Sequence, residues 1–156
     1  MANLFIELSD SVLGYTCHDA REYNAILSAE PYLHDRIIHV HIGMVAAGHD
    51  LYTLWGYRTW GVKGTLHAKR KAYDSCDYED LLLPGGTGWR TTDRFKADLI
   101  VCSTIYGFHS GVNWRRFGTP FGDWAHLEWT GKVATLSKRI LQIADPRLVK
   151  RLHGGV

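Results

Sequence analysis

Cysteine is scarce. Cys17, Cys76 and Cys102 are the only three in 156 residues. An odd count with no paired spacing excludes a disulfide framework as the basis of the fold, and no cysteine falls in a metal-binding pattern. They read as free, mostly buried thiols of a chain made in a reducing compartment. Long apolar runs are missing too: no segment approaches the ~20 residues that a membrane helix needs. The stretch from Met1 to Asp10 lacks the charged leader and extended apolar region of a signal peptide. Charge of one sign is also lacking. Eighteen Lys and Arg stand against sixteen Asp and Glu, for a net +2 with neutral His, which argues against nucleic acid as a partner. The one basic cluster, Lys69-Arg70-Lys71, reads as a solvated loop. The glycine run at 85–88 lacks the Gly-Lys-Thr/Ser ending of a phosphate loop, so nucleotide binding is rejected there.

What remains is a globular balance, 46% apolar and 22% charged. It suits one domain over residues 1–156 with one hydrophobic core. Nine His and six Trp are unusual. They permit a metal site and an aromatic-lined groove, and equally a well-filled core.

Periodicity and punctuation predict the elements. Asp19 caps a helix running to Glu30, with Tyr23, Ile26 and Leu27 on one face. Pro31 starts a second helix to about Gly48, with Leu33, Ile37, Val40, Met44 and Val45 inward. Leu51 to Trp55 reads as a strand leading into Gly56-Tyr57-Arg58-Thr59. A loop spans 60–71, a strand Ala72 to Tyr78, and a helix Thr91 to Tyr106. Gly107 to Gly122 reads as a glycine- and aromatic-rich loop. A strand follows over Ala125 to Trp129, then a closing helix over Val133 to Ala144 that Pro146 breaks before a basic tail. Helices and strands mix without βαβ periodicity. The fold class is therefore α+β: a small antiparallel sheet with packed helices, a core at about 51–130 and flanking helices at both ends.

A catalytic zinc takes about three His, Asp, Glu or Cys ligands and leaves a position open for water, with a base nearby. His67, Asp74, Asp123 and His126 supply such groups. On spacing alone, satisfied core or surface residues are the commoner reading. Placement favours the site: His67 precedes a strand, Asp74 lies within it, and Asp123 and His126 bracket a turn into another. Two adjacent strands can present all four at one end of a sheet, with Arg58 at the end of a third.

Thr65-Leu66-His67-Ala68-Lys69-Arg70-Lys71-Ala72-Tyr73-Asp74 and Asp123-Trp124-Ala125-His126-Leu127-Glu128-Trp129 together resemble a known family. It comprises the zinc peptidoglycan peptidases: D-alanyl-D-alanine carboxypeptidases, vancomycin-resistance D,D-dipeptidases and phage L-alanyl-D-glutamate endolysins. The first motif of that family reads Ser-x-His-x-x-Gly-x-Ala-x-Asp, and the second Glu-or-Asp-x-x-His. Thr65 stands for the Ser and Arg70 for the Gly. Gly56-Tyr57-Arg58-Thr59 and the stretch from Gly107 to Trp114 are also similar to family elements. The link from Arg58 to Thr65 is shorter than the family's usual helical excursion. The resemblance covers roughly residues 51–130.

The resemblance implies zinc on His67, Asp74 and His126, with Asp123 as the catalytic base. Arg58 would stabilise the oxyanion or hold a substrate carboxylate, and Thr65 would orient substrate. It implies action on bacterial peptidoglycan after release from the cytoplasm. The sequence does not fix the oligomeric state, with a monomer favoured, and its charge and hydropathy point to neither nucleic acid nor membrane as a partner. The Asp-type second motif favours an L-alanyl-D-glutamate endopeptidase over a D-alanyl-D-alanine carboxypeptidase. The rivals are a non-catalytic wall-binding or structural phage protein and a metal-dependent nuclease.

Several other residues have both a functional and a plain reading. His109 is a candidate for the cleft lining. Trp124 and Trp129 either floor a substrate groove or pack in the core. Glu128 shares the strand face of His126, as an orienting partner or as a solvent-facing residue. Cys76 reads as core. His39 and His41, two apart on a helix, point in different directions and read as structural.

Overall fold

The computed structural model describes residues 3–59, 64–112 and 121–154. Strands β1 (Phe5–Glu7) and β2 (Gly14–Thr16) form an antiparallel hairpin. Each is three residues long, too short for alternation to announce it in the sequence. Asp19 is extended (φ −156°, ψ 177°) and its carboxylate accepts the Glu22 N–H, which opens α1 (Ala20–Leu27). That satisfies one donor which every helix start leaves without a partner. Pro31 lies in the first turn of α2 (Pro31–Ala46), where its missing N–H is harmless.

The buried face of α1 differs from expectation. Glu22 and Ile26 are buried, whereas Leu27 is 38% exposed. Glu22 turns inward because its carboxylate accepts from the Tyr15 hydroxyl, the His18 ring and N–H, and the Thr53 N–H. In α2, Leu33, Ile37, Val40 and Met44 are buried as expected, but Val45 is exposed.

The main sheet joins β3 (Leu51–Trp55), β4 (Ala72–Asp77), β5 (Phe108–Gly111) and β6 (Asp123–Trp129). Its order is β3-β4-β6-β5, antiparallel throughout. Between β4 and β5 lie the short α3 (Tyr78–Leu81) and the long α4 (Asp93–Ile105), the latter capped by the Thr92 side chain on the Phe95 N–H. The chain closes with α5 (Lys138–Ile143) and α6 (Pro146–Leu152). The fold is thus mixed α+β, as the sequence indicates.

Three boundaries need correction. Residues 108–111 are an edge strand and not loop, held by pairing with β6 and by Phe108 against Trp129. Residues 113–120 of that stretch, including Asn113 and Trp114, lie outside the described residues, as do 60–63 of the loop before β4. The closing helix begins at Lys138 rather than Val133, because Ser137 caps it through the Ile140 N–H. Pro146 starts a helix instead of ending one: it follows Asp145, whose carboxylate accepts the Arg147 N–H.

Residues directly opposite in an antiparallel pair share a face of the sheet. One face carries Tyr73 and Leu127, register partners that are fully buried, with Phe108 edge-on to Tyr73. The broadly apolar α4 packs beside this layer and is itself flanked by α2, α5 and α6. The three cysteines are free and buried. Among the described residues, no helix is long and apolar enough to cross a membrane.

Candidate metal centre

The other face of the sheet carries Asp74 and His126, which are register partners on β4 and β6. His67 arrives from the turn before β4. The Thr65 hydroxyl oxygen accepts the Ala68 N–H at 3.3 Å, and the Thr65 carbonyl accepts the Lys69 N–H at 3.0 Å. Arg70 then takes a left-handed conformation (φ 60°), and its carbonyl accepts the Glu30 N–H at 2.9 Å. That contact ties the turn to the start of α2. The left-handed region suits glycine best, and Arg70 is the position where the resembled motif has glycine.

His67 Nδ1 lies 2.8 Å from the Gly56 carbonyl oxygen. A carbonyl only accepts, so Nδ1 carries the proton and Nε2 presents its lone pair. Gly56 can deliver its carbonyl because it lies against α1: a Cβ there would come within 2.2 Å of the Ala25 carbonyl oxygen. Ser28, just past α1, accepts the Tyr57 N–H at 2.8 Å and holds the next residue.

Three buried donors converge. His67 Nε2 is 3.3 Å from His126 Nδ1 and 3.4 Å from Asp74 Oδ2, and His126 Nδ1 is 3.2 Å from Asp74 Oδ1. A tetrahedron of nitrogen and oxygen ligands at ~2.0–2.1 Å from a cation has edges of about 3.3–3.4 Å. His67 Nε2 keeps that edge to both His126 Nδ1 and Asp74 Oδ2, while His126 meets the other carboxylate oxygen, Oδ1; with one atom taken from each residue, all three lie within 4.8 Å of one another. Protons can bridge some of these contacts, but a single cation at the centre satisfies all three donors together. The group can therefore hold a metal ion. Burial alone would push the Asp74 carboxyl up, but hydrogen bonds and charge from His126 and His67 outweigh it and hold it well below the usual carboxylate range. A carboxylate kept ionised is what a cation requires of its ligand.

Arg58 and Asp123 join this site. The Arg58 guanidinium pairs with Asp74 Oδ2 at 3.2 Å. A bulge in β3 sets up that approach: Thr53 opposes Ser75, but Trp55 opposes Asp74, so Leu54 is the additional residue. A larger irregularity lies in β6, where Ser110 and Gly111 of β5 oppose Leu127 and Asp123. In a regular strand, residues three apart point to opposite faces. The irregularity relaxes that rule, and Asp123, Trp124 and Ala125 all line one cleft with Asp74 and Arg58. Asp123 is the first residue of β6, rather than part of a turn preceding the strand. Gly122 makes the approach possible: its φ is 49°, and a Cβ would stand 2.4 Å from the Val112 carbonyl oxygen.

The remaining candidates separate clearly. The Thr65 hydroxyl is used within its turn, and Thr65 is not among the cleft-lining residues. Trp124 lines the cleft and also packs edge-on to Phe95, so it does both things expected of it. Trp129 packs on Phe108 and under Arg36, away from the cleft. His109 opposes Glu128 across β5 and β6, on the face of His126. Its Nε2 is buried with no hydrogen-bond partner among the described residues, and it does not line the cleft. Cys76 is core, packed with Tyr52 and Leu54. Of the basic cluster, Arg70 lies over the Tyr57 ring, and none of its members lines the cleft. His41 is buried against Thr53, and His39 stacks on Tyr106.

Sequence reasoning missed five residues of the cleft: Trp55, Trp89, Lys96, Gly122 and Ala125. Asp80 accepts the N–H groups of Gly88 and Arg90 and so shapes the loop that carries Trp89. Nothing local in the sequence ties that loop, or the first turn of α4, to the strands bearing the metal ligands. No protein-family model matches the chain, and no curated protein matches it in sequence.

Proposed function

We propose that the chain is a zinc-dependent peptidase of bacterial peptidoglycan that hydrolyses the L-alanyl-D-glutamate bond of the stem peptide. The observation that carries this reading is the convergence of ligand atoms from His67, Asp74 and His126 within 4.8 Å of one another, beside a cleft lined by Asp123 and Arg58. Two imidazoles and one carboxylate form a donor set that suits zinc, and three protein ligands leave a fourth position for water. The resemblance of the two motifs to the zinc peptidoglycan peptidases supports the substrate class. The near-even charge and a cleft of about 440 Å³ favour a small polar ligand over nucleic acid.

Zinc held by His67, Asp74 and His126 would supply Lewis acidity, lowering the pKa of a water from about 15.7 toward ~7 and polarising a carbonyl. Asp123 accepts the proton of that water and delivers it to the departing amine. Arg58, held against Asp74, directs its remaining N–H donors toward charge that develops on the carbonyl oxygen. Gly56 keeps His67 in the tautomer that offers Nε2 inward. His109, on the same face, stands one strand out from His126.

The test is metal content together with digestion of purified peptidoglycan, for the native chain and Asp123→Ala. The reading expects about one zinc per chain in both and new amino termini from the native protein alone. A new amino terminus on D-glutamate identifies the endopeptidase, whereas released D-alanine identifies the carboxypeptidase. Absence of zinc, or equal product from both proteins, removes the catalytic assignment and leaves a wall-binding module.

A further inference from the structure

Among the described residues, two cations line the cleft, in different circumstances. Arg58 is paired with Asp74. Lys96, in the first turn of α4, is half-buried and lines the same cleft. Among the described residues no carboxylate pairs with it, and the segments 60–63 and 113–120 contain no Asp or Glu. Its ammonium stands 5.3 Å from the centre of the Phe121 ring and 5.9 Å from that of Trp124. Aromatic faces hold a cation in place without neutralising it. Lys96 is therefore a positioned, uncompensated charge on the α4 wall of the cleft. Trp89, 49% exposed, adds an accessible indole to the same cleft.

We propose that Lys96 is the specificity-determining residue of this cleft, and that it takes a substrate carboxylate carried on the carbon next to the leaving amine. The kind of ligand rests on the peptidase reading above; the charge and its place do not. An L-alanyl-D-glutamyl bond, with the glutamate linked onward through its side chain, has its free α-carboxylate at that carbon. Arg58 and Lys96 then divide the work: the first faces the reacting carbonyl beside Asp74, and the second anchors the leaving half of the peptide. An ammonium paired with a carboxylate in a partly dehydrated cleft discriminates strongly against a neutral amide at the same place.

The test is calorimetric binding of two peptides to zinc-loaded protein carrying Asp123→Ala, which keeps them intact. One peptide is L-alanyl-γ-D-glutamyl-L-lysine with its glutamate α-carboxylate free; the other is the same peptide amidated there. The free acid is expected to bind about tenfold or more tightly. Adding Lys96→Met, which keeps an unbranched stem on the rings, should erase that preference with zinc content unchanged. Adding Lys96→Arg should retain most of it. A preference that survives Lys96→Met overturns the proposal, as does equal binding of the two peptides or no binding of either. The peptidase reading fails separately, if the native chain binds the free acid by way of Lys96 yet leaves it uncut.

Discussion

Asp74 and His126 stand directly opposite one another on β4 and β6, with Oδ1 of the carboxylate 3.2 Å from Nδ1 of the imidazole. Their contact depends on strand register, since a slip of one residue turns a strand's side chains to the opposite face. Two of the three donors are thus supplied by the sheet itself, and only His67 depends on a turn. That division shapes what each perturbation should do.

Zinc should act as a clasp between the turn and the sheet. Excess zinc should raise the thermal midpoint, and chelation should return it to the apo value. Occupancy a thousandfold above Kd corresponds to about 4 kcal/mol. His67→Ala should abolish the zinc-dependent increment while leaving a folded sheet. A midpoint indifferent to zinc in the native chain would rule out zinc at this trio.

Gly122 should tolerate no side chain. Alanine there meets the Val112 carbonyl oxygen at 2.4 Å in a left-handed backbone, and should cost about 1–3 kcal/mol in denaturant unfolding. Peptidoglycan digestion should fall with it, because Asp123 is the next residue. Gly48→Ala is the comparison: its φ is 91°, but open space surrounds it, so only the backbone cost applies and activity should be untouched. Equal losses for the two would refute the steric argument.

Arg70 has a strained backbone and one compensating contact, its guanidinium 4.8 Å from the centre of the Tyr57 ring. Arg70→Gly removes both, so the net change should lie within about 1 kcal/mol of zero. A β-branched residue has no such relief, and Arg70→Val should destabilise by more than ~1 kcal/mol. Urea midpoints of the three proteins settle the order. A native-like Arg70→Val would mean that the turn relaxes out of the left-handed region.

His41 should produce an acid-sensitive stability. Burial pushes its pKa down to about 4, against the opposing pull of Glu22 on α1. Tyr15 stacks on its ring from β2, and Thr53 of β3 bonds its Nε2. The folded imidazole therefore stays neutral while the unfolded one gains a proton below its ordinary pKa of ~6.5. Stability is lost as pH falls from about 6.5 to 4, by about 3 kcal/mol at the lower end. His18 works in the other direction: burial lowers its pKa, but Glu22 and Asp50 outweigh burial and raise it. Its contribution is complete below about 6.5 and fades as pH rises through its folded value. Across the window from 6.5 to 4 His18 is constant, so His41→Gln should flatten the acid slope relative to the native chain. Parallel slopes for the two proteins would remove His41 as the cause.

Much of this molecule is legible in local residue patterns. Asp19 and Pro31 mark helix starts that the structure contains, and the helix expected from Thr91 begins at Asp93 behind the Thr92 cap. The strands around Leu51, Ala72 and Ala125 follow from apolar patterning. Other features escaped for physical reasons. The strand at Phe108–Gly111 is an edge whose pairing partner lies beyond the glycines. The helix start at Pro146 depends on Asp145 as its cap, and proline alone reads equally as a stop. Glu22 looks solvent-facing until donors from Tyr15, His18 and Thr53 are brought around it.

The sequence by itself determined the donor chemistry: two imidazoles, a ligating carboxylate and a second acid, on segments with strand or turn character. Tertiary structure decided which of them meet, through the pairing of β4 with β6 and the irregularities at Leu54 and Trp124. The irregularity in β6 lets Asp123 line the cleft although it is three residues from His126, and the one in β3 sets Trp55 opposite Asp74. Tertiary structure also brought Lys96 and Trp89 to the cleft from the far side of a loop. The reason is that side-chain direction in a strand follows register and bulges, which are relations between distant segments and leave no trace in the spacing of either one alone.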